Sequence, residues 1–196
     1  MLTVIIFDHP YTASACDNVP HHRSFLAALL KATKEKCQAN GETVDLIDLH
    51  ADHFDPVMTA SDLSKWRRGQ PINDQCADYQ RRLLAADRII FMFPIWWEAM
   101  PAMTKGFLDK VYAKDRLYTG ASMQTKLVKH PKIDVITTMS TPNWAYRWLF
   151  GAPVIKMLFR GTFIKTRLFK FKWHNFAQVE KRTPAQREHL LQNLKI

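Results

Sequence analysis

The sequence predicts a doubly wound α/β domain with five parallel strands in the order 2-1-3-4-5. Three observations carry this. Short apolar runs alternate with stretches of helical periodicity, two of the runs are almost uninterrupted, and 196 residues suit one domain. Repeated strand–helix–strand units give parallel strands with helices on both faces.

The elements follow in order. Leu2–Phe7 is rich in β-branched residues and forms the first strand. Ser24–Asn40 repeats apolar residues at helical spacing, and Gly41 follows as its stop. Thr43–Leu49 alternates as the second strand. Residues 50–72 are a long connection, polar around Ser61–Gln70, expected as a surface excursion. Asn73–Ala86 is a helix with Asn73 as N-cap and Leu83 and Leu84 turned to the core. Arg88–Phe93 is the third strand. Pro101–Tyr112 is a helix whose Pro suits the first turn. Ile133–Thr138 is the fourth strand, interrupted by Asp134. Asn143–Phe159 is a less regular helical stretch, broken near Gly151 and Pro153. Leu168–Trp173 alternates apolar residues with Lys, as an edge strand does. Thr183 caps a last helix that starts at Pro184 and runs to Leu194.

Hydrophobic residues make up 47 %, which excludes a disordered chain. No linker, repeat or low-complexity segment divides residues 1–196, so a single domain is expected. The apolar run Val4–Phe7 is too short for a secretory signal, and Lys156 and Arg160 interrupt the apolar stretch 148–164, so no membrane span is expected. Cys16, Cys37 and Cys76 are scattered and odd in number, as in a reduced, cytoplasmic protein. His9, His21 and His22 with Asp8 and Asp17 match no closed zinc pattern, so no metal is expected.

The net charge of +10 is uneven: residues 126–196 carry +11 and residues 1–125 carry −1. The basic third suits an anionic cofactor, a nucleic acid or an anionic membrane, and composition does not choose among them. Leu168–His174 alternates aromatic and basic residues. A strand with one buried aromatic face is favoured there over single-stranded nucleic acid, and no nucleic-acid partner is expected. Lys165, Arg167, Lys170, Lys172, Lys181 and Arg182 suit the diphosphate of a dinucleotide or a partner subunit. The apolar stretch 148–164 is expected at a homodimer interface, helping to form the substrate pocket.

In doubly wound sheets ligands sit beyond the carboxyl ends of the strands, which selects the loops after Phe7, Phe93 and Thr138. The middle loop sets Trp96 and Trp97 between Pro94 and Pro101. Proline stiffens such a loop, so backbone N–H groups can face a ligand beside flat indoles. A Trp pair closing the sheet end, or a dimer contact, is the other reading of the same residues.

Residues 93–112 read Phe-Pro-Ile-Trp-Trp-Glu-Ala-Met-Pro-Ala-Met-Thr-Lys-Gly-Phe-Leu-Asp-Lys-Val-Tyr. This stretch resembles the signature of the NAD(P)H:quinone reductase family, and the resemblance extends over 1–9, 24–60, 75–120 and 132–140. It is weak from about 141 onward. The resemblance implies a flavodoxin-like fold, a bound FAD or FMN (the signature is closest to the FAD-binding branch), NAD(P)H as electron donor and a homodimer. It implies ping-pong hydride transfer through the flavin to a quinone. An azo- or nitro-compound reductase, or a flavin-bound redox-sensing subunit, suits the same scaffold.

By resemblance, the backbone of Ile95, Trp96 and Trp97 lies along the isoalloxazine, Pro94 joins them in the cofactor-binding set, and Glu98 sits at the edge of the site. Asp109 holds the family's acidic position, or is a surface helix charge. Gly106 is expected to allow close helix packing, since Gly in a helix interior costs about 1 kcal/mol relative to Ala. His9, Ser24 and Phe25 match the phosphate side, where a helix N-terminus favours anions, although the loop is longer than usual, with Cys16–His22 as extra residues. Leu26 replaces the usual Asn. Thr137 and Thr138 match the pyrimidine-side loop, while Met139 and Ser140 replace two glycines. Tyr146 lies near a family Tyr that bonds flavin or substrate, but the next His is His174, so a Tyr–His relay does not carry over. Packing of Tyr146 under a helix is the competing reading.

Overall fold

A computed structural model describes residues 1–17 and 24–196. Strands β1 (Leu2–Phe7), β2 (Thr43–Asp48), β3 (Arg88–Pro94), β4 (Lys132–Met139) and β5 (Phe171–Ala177) form one all-parallel sheet. Their order is β2-β1-β3-β4-β5, as expected. The α-helices of the described residues are α1 (Phe25–Ala39), α2 (Ala60–Arg67), α3 (Asp74–Ala85), α4 (Ala102–Lys110), α5 (Pro153–Lys156) and α6 (Pro184–Gln192). Two π-helical segments, Ala145–Leu149 and Met157–Ile164, lie in the crossover from β4 to β5.

Side chains alternate along each strand and split the core in two. Val4, Ile6, Ile89, Phe91, Phe93, Ile133 and Val135 pack with α3, α4 and the β4–β5 crossover. Ile5, Phe7, Ile90, Met92 and Ile136 pack with α1, and Leu194 just past α6 joins that cluster. Because both faces are covered, β1 and β3 read as continuous apolar runs rather than as alternating ones.

The helix starts are built from local chemistry. Ser24 Oγ accepts from Ala27 N–H at 3.0 Å, and Asn73 Oδ1 accepts from Cys76 N–H at 2.8 Å. Thr183 and Gln186 form a reciprocal capping box at α6. Gly41 follows α1 with φ +74°, a left-handed value that suits glycine.

Two elements differ from expectation. The surface excursion 50–72 contains α2, started by a capping box between Thr59 and Asp62. The edge strand begins at Phe171, not Leu168, and runs to Ala177. Leu168 is buried and donates its N–H to Phe163 O at 2.8 Å, closing the preceding helical segment. Polar cross-strand pairs extend the strand beyond its apolar pattern. Thr137 Oγ1 donates to Asn175 Oδ1 at 2.7 Å, and Trp173 Nε1 donates to Thr137 Oγ1 at 2.9 Å.

Asp134, which interrupts the apolar run of β4, is fully buried. Arg88 Nε meets its carboxylate at 2.7 Å, Lys132 Nζ at 3.1 Å and His174 Nε2 at 3.4 Å. Burial pushes the carboxyl up, but the His174 bond, the Arg88 charge and Lys132 outweigh it and hold it at about 2. No helix of the described residues is long and apolar enough to cross a membrane.

Candidate functional site

The loop after β3 begins by extending the ladder. Ile95 N–H donates to Thr138 O at 2.8 Å, which ties it to β4. Trp96 and Ala99 then exchange both backbone bonds, at 3.0 and 2.9 Å. Between them Trp97 has φ +49° and Glu98 φ +58°. Positive φ at both central residues is the signature of a type I′ hairpin turn. The N–H groups of Ile95 and Trp96 are thus used inside the protein. Among the described residues the N–H groups of Trp97 and Glu98 have no protein acceptor. The Trp97 side chain is 99 % exposed and Trp96 is 47 % exposed.

Glu98 joins this turn to the loop after β4. Its Oε1 accepts from Thr141 Oγ1 at 2.5 Å, while its buried Oε2 has no protein partner. Beside it lies a cavity of about 300 Å³ lined by Ala99, Met100, Lys105, Val154 and Met157.

The loop after β1 is fixed by Asp8, whose sequence context suggests no such role. Asp8 is buried and accepts from Thr104 N–H at 2.8 Å and Thr104 Oγ1 at 2.6 Å. His50 Nε2 sits 3.1 Å from its other oxygen. Asp8 thus ties β1 to the first turn of α4, next to the Trp-Trp loop. Thr104 sits three residues into a helix headed by Pro101, and that pattern was its available signal. His9 follows, accepting from Tyr11 N–H at 3.2 Å, and burial lowers its pKa below the usual histidine value. His21 and His22 lie outside the described residues, and no group of three metal-ligating side chains occurs among the described ones.

A family model for the flavodoxin-like fold matches residues 1–195. The chain belongs to this family. An NAD(P)H oxidoreductase of Escherichia coli (strain K12), named as uncharacterized, is 30 % identical over 100 residues, covering 50 % of this chain and 51 % of that one. The chain spans about half the length of this curated relative. The structure of an NAD(P)H:quinone oxidoreductase from Methanothermobacter marburgensis superposes with a TM-score of 0.79 at 19 % identity, covering 98 % of this chain and 91 % of that one. An FMN-dependent NADH-azoreductase from Bacillus anthracis, solved in complex with FMN, gives 0.75 at 16 % identity, covering 97 % and 94 %.

The remaining candidate residues fall into two groups on this flavodoxin-like frame. Pro94, paired with Thr138, ends β3, and Ser140 is exposed just past β4. Ser24 and Phe25 stand at the start of α1, whose preceding loop leaves the same end of the sheet. Ser24 is engaged as N-cap, and Phe25 packs edge-on to Phe176 at 6.2 Å. The others are engaged within the protein. Thr137 is buried with its hydroxyl bonded to β5, and Met139 is buried. Tyr146 is wholly buried, its hydroxyl accepting from Val154 N–H at 3.3 Å and its ring 5.7 Å from Trp173. Burial pushes this phenol up to about 12. These surroundings give Tyr146 a packing role. Asp109 lies seven residues into α4 from its start, about 10 Å along the axis. There it pairs with Lys105 at 2.6 Å, beside a cleft of about 390 Å³ under α2 that shares Lys105 and Met157 with the cavity at Glu98.

Proposed function

We propose that the chain is a flavin-dependent NAD(P)H oxidoreductase with a quinone acceptor. The observation that carries this reading is the Trp97–Glu98 turn. At the carboxyl end of β3 it offers two unpaired backbone donors, an exposed indole and a buried carboxylate oxygen without a partner. These groups suit a flat ring with polar edges, and the names of the relative and of the similar structures point the same way. The likeness to the reductase signature at 93–112 adds support.

A bound flavin, FAD or FMN, supplies two-electron hydride chemistry between NAD(P)H and an acceptor. The chain's residues bind and orient. The N–H groups of Trp97 and Glu98 act as edge donors. Trp96 and Trp97 wall the ring and exclude water. The Asp8–Thr104 bond fixes the neighbouring loop, and Ser24 and His9 line the phosphate side. The apolar cavity at Met100, Val154 and Met157 suits an acceptor better than a charged ligand. No nucleophile or metal is required of the protein.

The test is direct. Purified protein is scanned for a flavin spectrum, the cofactor released by heat is identified as FAD or FMN, and NAD(P)H oxidation is followed with a quinone and with an azo dye. A flavin with fast quinone turnover is expected. Protein that binds neither flavin on reconstitution refutes the reading. Bound flavin with negligible turnover would instead mark a redox-sensing subunit.

A further inference from the structure

Of the side chains that line the cavity at the Trp-Trp turn, only Glu98 and Lys105 titrate. Lys105 is taken: its Nζ is held by both oxygens of Asp109, at 2.6 and 2.7 Å. Glu98 is half taken. Its Oε1 accepts from Thr141 Oγ1, while its Oε2 is buried with no partner among the described residues.

Such an atom is expensive, because a buried carboxylate oxygen gives up water and gains nothing in return. Two other buried side-chain atoms among the described residues share this condition, Thr33 Oγ1 and Arg88 Nη2. Thr33 lies on the buried face of α1, and Arg88 already holds Asp134 through Nε. Glu98 alone of the three lines a cavity described above. The tie to Thr141 does not explain a carboxylate there, since a neutral amide oxygen accepts the same bond.

Reduction of a quinone to a hydroquinone consumes a hydride equivalent and one further proton. The obvious proton carriers nearby are occupied. Tyr146 is wholly buried, and its hydroxyl is bonded to Val154 N–H. His174 is bonded to Asp134, which lies opposite Ile90 and four residues before the Thr138–Pro94 pair, roughly 13 Å back along the strand. Glu98 is the acid that remains at the mouth of the sheet.

We propose that Glu98 is the proton donor of this cavity: as a carboxylic acid it binds the carbonyl oxygen of a flat neutral acceptor through Oε2, and it gives that oxygen its proton as the acceptor is reduced. A carbonyl oxygen brings only lone pairs, so a carboxylate would meet it acceptor to acceptor. A proton between the two turns that clash into a hydrogen bond. Met100, Val154 and Met157 suit the apolar body of such a ligand. The balance closes. NAD(P)H is oxidised and its hydride, carrying two electrons and one proton, reaches the quinone by way of the flavin. Glu98 adds the second proton, its own O–H bond breaks as the new one forms, and solvent reprotonates the carboxylate. The donor role rests on the proposed function; the binding of a carbonyl ligand does not.

The groups that face Glu98 are Thr141, Lys105 with Asp109 from α4, and Tyr146, whose phenol is pushed up to about 12 by burial. Glu98→Gln isolates the carboxyl from all of them, because it preserves shape and the bond to Thr141. Binding of α-tetralone, a flat ketone, is followed by calorimetry without NAD(P)H on purified protein whose flavin content is recorded. Affinity is expected to fall with rising pH, by up to about tenfold per unit, because one proton enters with the ligand. In Glu98→Gln the amide N–H still meets the ketone, so binding should persist without the pH dependence. Reoxidation of the reduced protein is then followed with menadione and with ferricyanide, which takes electrons without a proton. The menadione-to-ferricyanide rate ratio should fall about a hundredfold in Glu98→Gln, with loss of the solvent deuterium isotope effect on the menadione reaction. No ketone binding, ketone affinity indifferent to pH, the same pH dependence in Glu98→Gln, or equal slowing with both acceptors would each overturn the proposal. Flavin-free protein that still takes up a proton with the ketone strikes the functional reading alone. Flavin-bound protein whose menadione rate ignores Glu98→Gln strikes the proton role alone.

Discussion

Gly106→Ala is the substitution whose sign the structure decides against a simple rule. In an exposed helix interior this change stabilises by about 1 kcal/mol, because alanine is the better helix former. In α4 a Cβ at position 106 would stand 2.4 Å from Pro56 Cβ and 2.5 Å from Pro56 Cα and O. Two of these atoms are backbone, so no rotamer change clears them. The loop they belong to is also held, since Lys110 Nζ donates to Val57 O at 2.9 Å. Overpacking of this kind costs about 1–3 kcal/mol, and a rigid backbone neighbour puts it at the upper end. After the propensity gain, a net loss of about 1–2 kcal/mol remains. At about 2–4 °C per kcal/mol for a chain of this size, Tm should fall by roughly 2–8 °C. The displacement of α4 would also reach Asp8 through Thr104, so flavin affinity should fall with stability. Thermal unfolding of flavin-free protein by circular dichroism reads the first effect, and flavin titration the second. A variant as stable as the parent, or more so, would refute the close-packing argument.

Trp97→Ala should leave stability within about 0.5 kcal/mol, because the side chain touches little, yet weaken flavin binding by roughly 2- to 10-fold; flavin titration beside chemical denaturation separates the two. Thr104→Val removes one donor to the buried Asp8 carboxylate and should cost about 1–3 kcal/mol, read as a lowered denaturation midpoint. The Asp134 carboxyl sits at about 2 in the fold against 3.8 in the open chain. Its contribution of about 2 kcal/mol is therefore fully present above pH ~4 and lost as pH falls toward 2. Asp134→Asn should flatten that limb of the stability profile while costing up to about 3 kcal/mol at neutral pH, since Arg88 loses one of two buried carboxylate partners and keeps Glu42 at 3.6 Å. Burial pushes the thiols of Cys37 and Cys76 up to about 11, and Cys16 is the more open, so thiol titration of the native protein should find Cys16 alone reactive.

The strand order was legible because β1, β3 and β4 are buried on both faces, and that burial writes itself into the sequence as apolar runs, broken in β4 by the ion-paired Asp134. β5 was misplaced for the converse reason. Its second half, His174–Ala177, is held by polar pairs with β4 and by the Asn175–Asn143 bond at 2.6 Å, and hydropathy does not register such pairs. Residues 168–170 carry the alternation but belong to the turn that closes the Met157–Ile164 segment. α2 has only Ala60, Leu63 and Trp66 as apolar residues, and its Thr59–Asp62 box announces its start. The Asp8–Thr104 tie spans 96 residues, and no local pattern predicts a partner so distant.

The same limit applies most sharply at the turn that defines the candidate site. A type I′ turn asks for Asn-Gly or a similar pair, because each ordinary residue in the left-handed region costs about 1–2 kcal/mol. Trp97-Glu98 is a poor choice by that rule, so turn chemistry points away from the conformation actually adopted. What holds the turn is tertiary: Ile95 is bonded to β4, Trp96 to Ala99, and Glu98 to Thr141. Strain maintained by its surroundings at the candidate loop points to side chains kept for what they present and not for how they fold. Trp97→Gly tests this. It removes the steric cost at φ +49° and should stabilise the flavin-free protein by up to about 1 kcal/mol. Because the indole goes with it, flavin affinity should fall. A variant that loses stability would show that the indole is a structural element of the sheet end. One that gains stability and also keeps full flavin affinity would show that the backbone donors of residues 97 and 98 suffice, leaving Trp97 no part in holding the ring.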